Sequence, residues 1–240
     1  MGNGGFIKNN LLTNVNSIIA DTETNDYEIE NAVNGVPSEV YQATTDSSII
    51  TIDLGEQKNF DAIALINHNI NTGDTITIKL SNDNFSTIDE TIDISSNINS
   101  ENMYYLFNST KTYQYLKLEI SISSGNVQIG EIFLGTKYIF TKNYKWGFNP
   151  IFNVNKNVSI VNGQYFEEDI STQRGWKLNF EGVNETEYNN YKELFISGYK
   201  IFVPDVDDKE CYHGVVIGNF SPQNRYGYLS FSLEFMENAK

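Results

Sequence analysis

The stretch ECYHGVVIG, residues 210–218, holds the single cysteine of the chain, Cys211, and one of its two histidines, His213. A thiol two residues from an imidazole could act as a nucleophile with its base, or supply two ligands to a metal. On a strand, residues i and i+2 share a face but stand about 6.6 Å apart, too far for a direct hydrogen bond without leaning. A reactive thiol also needs electropositive surroundings, whereas Asp208 and Glu210 flank this one. The pattern reads as a strand with Cys211, His213, Val215 and Ile217 on one side, Cys211 partly buried, and no catalytic residue is assigned.

Other groups invite similar readings. PDVDDKE (204–210) starts like a calcium loop with Asp205 and Asp207, but Glu210 stands where the sharp turn needs Gly, and Val216 where the bidentate Glu belongs. It reads as an acidic turn. His68, in INHNI, reads as a loop fastener. Tyr104, Tyr105 and Phe85 are the aromatics that could stack on a sugar ring, although alternating aromatics also serve as core. A nucleophile elbow, a phosphate-cradling loop and a dinucleotide glycine motif are absent from the sequence. No enzyme and no cofactor is expected.

The elements that must position these residues are mostly strands. SIITIDL (48–54), FDAIALI (60–66), DTITIKL (74–80), STIDETIDI (86–94), MYYLF (103–107), YQYLKLEIS (113–121) and VQIGEIFLG (127–135) are β-branched or aromatic and separated by Asn, Asp, Ser and Gly. TITIKL and YLKLEI alternate apolar and polar residues, as strands with one buried face do. After Gly135 the texture changes. Asn162-Gly163 marks a tight hairpin turn, and RGWKLNF (174–180) alternates. Asn184 with Glu187 forms a capping box ahead of Tyr188, Tyr191, Leu194 and Phe195 at helical spacing, with Gly198 as C-cap. The fold class expected is mainly β: an N-terminal β-sandwich of jelly-roll type over 1–136, then a second β-rich module over 137–240 with one amphipathic helix at about 185–197.

The chain has 240 residues and a formal net charge of −15. Without a basic footprint, nucleic acid is not an expected partner, nor is an anionic membrane surface. The N-terminal residues lack the apolar run of a signal peptide, so assembly in a cytoplasm is expected. One cysteine leaves no internal disulfide to brace the fold.

From SEVYQA through ITIDLGEQKNFDAIALINHNI, ITIKLSNDN and YLKLEI to VQIGEIFLG, roughly residues 35–135, the chain resembles a discoidin or galactose-binding-like jelly roll. Tyr41 stands where relatives more often carry Trp. The resemblance implies that Glu131 helps bind a structural calcium. The longer series resembles bacteriophage tail proteins, in which a small jelly roll precedes a tail-hub or baseplate docking module. Its marks are Arg174 with Trp176, Glu187 with Tyr188, Pro204 with Asp205, and the FSLEFME end with Glu234 and Glu237. That resemblance implies a structural virion protein near the tail tip, assembled with other tail proteins and copies of itself, with glycan contact by the jelly roll. The alternative is a non-catalytic carbohydrate-binding module.

Overall fold

The computed structural model of the chain describes residues 2–99, 101–145, 149–161, 164–196, 198–218, 222–225 and 228–238; of 149–161, 164–172 and 224–225 it describes the backbone alone. The strands are β1 (Gly5–Lys8), β2 (Ser17–Ala20), β3 (Tyr41–Gln42), β4 (Ser47–His68), β5 (Thr75–Ser81), β6 (Glu90–Asp93), β7 (Asn102–Ser121), β8 (Gln128–Ile139), β9 (Asn149–Val161), β10 (Gln164–Val183), β11 (Lys200–Val203), β12 (Tyr212–Ile217), β13 (Gln223–Arg225) and β14 (Tyr228–Glu237), with the helix α1 (Glu185–Glu193) between β10 and β11. The fold is mainly β, as the alternation implies.

Contacts divide the chain into two units: Met1–Ile139 with Lys200–Tyr212, and Phe140–Tyr199 with His213–Ala239. The sequence reading put one cut after Thr136 and made both parts contiguous. Instead the first unit takes back a late segment, because its second sheet has an apolar outer face to cover.

In the first unit all pairings are antiparallel. One sheet runs β6, β5, the second half of β7, the first half of β4, and β2. The other runs from the first half of β7 through the second half of β4 to β8, β1 and β11, and β3 pairs the start of β8. The long strands β4 and β7 thus belong to both sheets. They switch at register shifts between Asp53 and Lys58 and between Phe60 and Ala62, the way strands turn the corner of a sandwich.

Between the sheets lies the main core. Ile76, Ile78 and Leu80 of β5 and Leu116, Leu118 and Ile120 of β7 face Ile63, Leu65, Ile132 and Leu134 of the other sheet. Each such side chain stabilises the fold by about 1.5–3 kcal/mol on burial. Tyr41 is wholly buried there. Its hydroxyl donates to the Thr22 carbonyl at 2.9 Å and lies 2.7 Å from Ser48 Oγ. A second core lies on the outer face of the second sheet, where Ala62, Ala64, Ile66, Tyr104 and Phe133 cluster with Ile7, Ile201, Val203 and Cys211.

The second unit is built on β14, which pairs β10, β12 and β13. Its core is aromatic: Phe180 lies 4.6 Å from Tyr191 and 5.1 Å from both Phe140 and Phe231, ring centre to ring centre. The Asn184–Glu187 capping box starts α1, and Tyr191 and Leu194 are fully buried. The helix ends at Glu193 rather than 197. Leu194, Phe195 and Ile196 donate to carbonyls three residues back, a tightened last turn, so Gly198 is not its C-cap. The expected Asn162-Gly163 turn lies outside the described residues, although Val161 and Gln164 on either side of it are paired.

Candidate functional site

Cys211 and His213 fall in different units. Cys211 is 2 % exposed among the apolar side chains of the second core of the first unit, and its carbonyl accepts from Asn102 Nδ2 at 3.0 Å. His213 belongs to the second unit, its ring centre 4.9 Å from that of Tyr199 and its Nδ1 3.4 Å from Asn238 Nδ2. Burial lowers its pKa to about 4. Cys211 precedes β12 and is counted in the first unit, and Ile217, the last residue of β12, is 39 % exposed.

Glu131 is buried, 1 % exposed. Oε2 accepts from the Gly35 amide at 2.9 Å and Oε1 from Asn10 Nδ2 at 3.3 Å. Burial raises its pKa to about 8. Both oxygens already accept N–H bonds, whereas a hard cation such as calcium gathers about six to eight oxygen ligands. Among the described residues no group of three His, Cys, Asp or Glu side chains could hold a metal. The residues around Glu131 therefore do not fit the expected calcium.

The aromatics expected to stack on a sugar are otherwise engaged. Tyr104 is 6 % exposed in the second core, and its hydroxyl donates to the Asp208 carbonyl at 2.7 Å. Tyr105 packs on the main core, edge-on to Phe107 at 5.1 Å. Phe85 is half-buried, edge-on to Tyr115 at 6.2 Å, with Lys117 Nζ 4.2 Å above its ring. His68 fastens its loop, as read: Nδ1 accepts from the Ile70 amide at 3.2 Å, and burial lowers its pKa to about 4.

The docking-module residues divide between the units. Arg174 clamps Glu237 with two hydrogen bonds, 2.7 and 2.9 Å, and the carboxylate is nearly buried. Trp176 pairs across the sheet with Phe235. Tyr188 is half-buried on α1. Pro204 and Asp205 sit instead in the first unit. There Asp205 Oδ1 accepts from the amides of Gly2 and Asp207, tying down the N-terminal segment.

What the sequence reading missed is a shallow, open cleft of about 480 Å³ on the first unit, lined by Asn82, Asp89, Glu90, Ser109, Lys111 and Tyr113 among others. Two irregular features build it. β7 carries four residues, 107–110, opposite the lone Asp61 of β4, because Phe60 pairs Lys111 while Ala62 pairs Leu106. The loop from Asn82 to Asp89 is tied by Ser81 Oγ, which accepts from the Asp83 and Phe85 amides, and by Asp83 Oδ1, which accepts from Thr87. The Thr87 amide is also the main reason Asp83 sits below the usual carboxylate range. Asn84 and Phe85 are left-handed, at φ 55° and 62°. Such strain in a bulky residue persists only where surroundings impose it, often beside a binding site. Asn82 joins loop to strand, donating its amide to Asp89 Oδ2 and accepting from the Gln114 amide. Lys111 Nζ lies 2.6 and 2.8 Å from the two oxygens of Glu90. The signal available in the sequence was SNDNFSTID, dense in residues that bond their own backbone.

No family model matches the chain, and no curated protein matches it. Solved structures do. A module named CpGH89CBM32-6 from Clostridium perfringens is 22% identical over 55% of this chain and 99% of its own, at a TM-score of 0.43. The chitosan-binding module 1 of a chitosanase/glucanase from Paenibacillus sp. IK-5 is 16% identical over 52% and 97%, at 0.44. The lectin domain of lectinolysin, solved with Lewis B antigen, is 16% identical over 54% and 98%, at 0.44.

Proposed function

We propose that the chain is a non-catalytic carbohydrate-binding protein whose first unit contacts a glycan. The observation that carries this reading is the cleft. Its size falls within the range of ligand sites, roughly 300–1,000 Å³, and its lining offers both donors and acceptors: Asn82, Ser109, a lysine and two carboxylates. Hydroxyl-rich ligands are recognised by such sets. The test is a glycan array followed by titration calorimetry of each hit on Tyr113→Ala and Lys111→Ala. Affinity lost in both supports the reading; a chain that binds no glycan, or whose hits ignore both substitutions, ends it.

A second reading, a structural subunit of a phage tail or related particle, is favoured by the β9–β10 ribbon. β14 pairs β10 only from Gly175 onward. Between Phe152 and Arg174 the two arms pair only with each other among the described residues. At about 3.4 Å per residue this ribbon is roughly 30 Å long, and a lone two-stranded ribbon is marginal in water. A neighbouring subunit, another tail protein or a copy of this chain, would supply its cover. The motif order running from Arg174 to Glu237 agrees with this reading, and the two readings are compatible in one virion protein. Imaging particles from the source organism tests it: the chain must be found in their tails.

A further inference from the structure

We infer that the cleft between the Asn82–Asp89 loop and the β7 bulge prefers an amine-bearing sugar and rejects an acidic one. This rests on the carbohydrate reading above and adds the ligand's charge class. The cation of the cleft, Lys111, is committed, since its ammonium holds both oxygens of Glu90 and its side chain is 15 % exposed. Asp89 is different. It is exposed, its Oδ2 takes the Asn82 amide, and its Oδ1 has no protein donor among the described residues. An ammonium on a sugar ring placed at Asp89 would gain a charge-assisted hydrogen bond. The hydroxyls of that sugar would meet Ser109 and the Glu90 carboxylate. A uronic or sialic carboxylate would meet Asp89 and Glu90 instead, inside the field of a chain of net charge −15.

The test is calorimetry of the full chain against a glucosamine oligomer, its N-acetylated form and a galacturonic acid oligomer, at low and high salt. Asp89→Asn is the paired variant. It keeps an oxygen for the Asn82 amide, and its fold is checked by thermal melting. The expected result is a roughly two- to fivefold preference for the glucosamine oligomer over the N-acetylated one, the range of an exposed charge pair. That preference shrinks with salt and is absent in Asp89→Asn, and the galacturonic oligomer does not bind. Equal or tighter binding of the acidic oligomer overturns the inference and leaves the carbohydrate reading standing, as does a preference that survives Asp89→Asn. No binding by any of the three, together with an empty glycan array, overturns both.

Discussion

Glu131→Gln is the substitution whose outcome can be worked out most fully. In the folded chain burial keeps the Glu131 carboxyl protonated up to about pH 8; unfolded, it ionises near 4.5. Between those values unfolding releases a proton, so raising the pH favours the unfolded chain. Stability is therefore greatest at the acid end of that window and falls as pH rises to 8, by up to 1.36 kcal/mol per pH unit. His68 and His213 act in the opposite sense at lower pH. Their folded values near 4 lie below the unfolded 6.5, so their contribution is lost as pH falls below 6.5. The variant carries the same histidines, so the difference between the two chains isolates Glu131. From pH 6.5 to 8 the parent should lose about 2 kcal/mol relative to the variant, or roughly 4–8 °C in melting temperature for a chain of this size. Gln cannot ionise. Its amide nitrogen, however, must face a donor, since Asn10 and Gly35 both donate to this position, at a cost of about 1 kcal/mol. The two pH–melting curves should therefore cross: the variant is less stable than the parent at pH 6.5 and more stable at pH 8. Calorimetric melts at half-unit steps settle it. Parallel curves, or a parent that gains stability from pH 6.5 to 8, would refute the buried-carboxyl argument.

Three further outcomes follow from the packing. Tyr104→Phe keeps the ring in the second core but loses the donor to Asp208, and should cost about 1 kcal/mol in urea unfolding with glycan affinity unchanged. Arg174→Ala leaves the Glu237 carboxylate nearly buried without its clamp, and should cost roughly 2 kcal/mol, read from the unfolding midpoint. A chain cut after Ile139 loses the segment that covers Ala62, Ala64 and Phe133, and should bind a hydrophobic dye where the full chain does not.

Much of the architecture was legible. TITIKL and YLKLEI alternate because one face is dry, and their apolar residues are the ones found in the main core. The capping box was readable because it is local. The second core was harder, because alternation reports one dry face and not what covers the other. A signal existed nonetheless. In FDAIALI the residues from Ala62 to Ile66 are all buried, and an unbroken apolar run is the mark of a strand covered on both sides. Tyr104 was misjudged for the same reason. The cleft was legible only as the turn-rich SNDNFSTID, because a bulge and two left-handed residues shape it and neither follows from periodicity.

The pairing of β1 with β11 has a kinetic consequence. Phe6 lies beside Phe202 in register and in ring contact, so the sandwich is completed by a strand made almost a whole chain later. At about 5–20 residues per second of synthesis, the N-terminal strand waits roughly 10–40 s on the ribosome before its neighbour is translated. During that interval the outer face of the second sheet is a sticky, unfinished surface. Contacts so distant in sequence also slow closure itself, so that surface stays open until residue 203 has emerged.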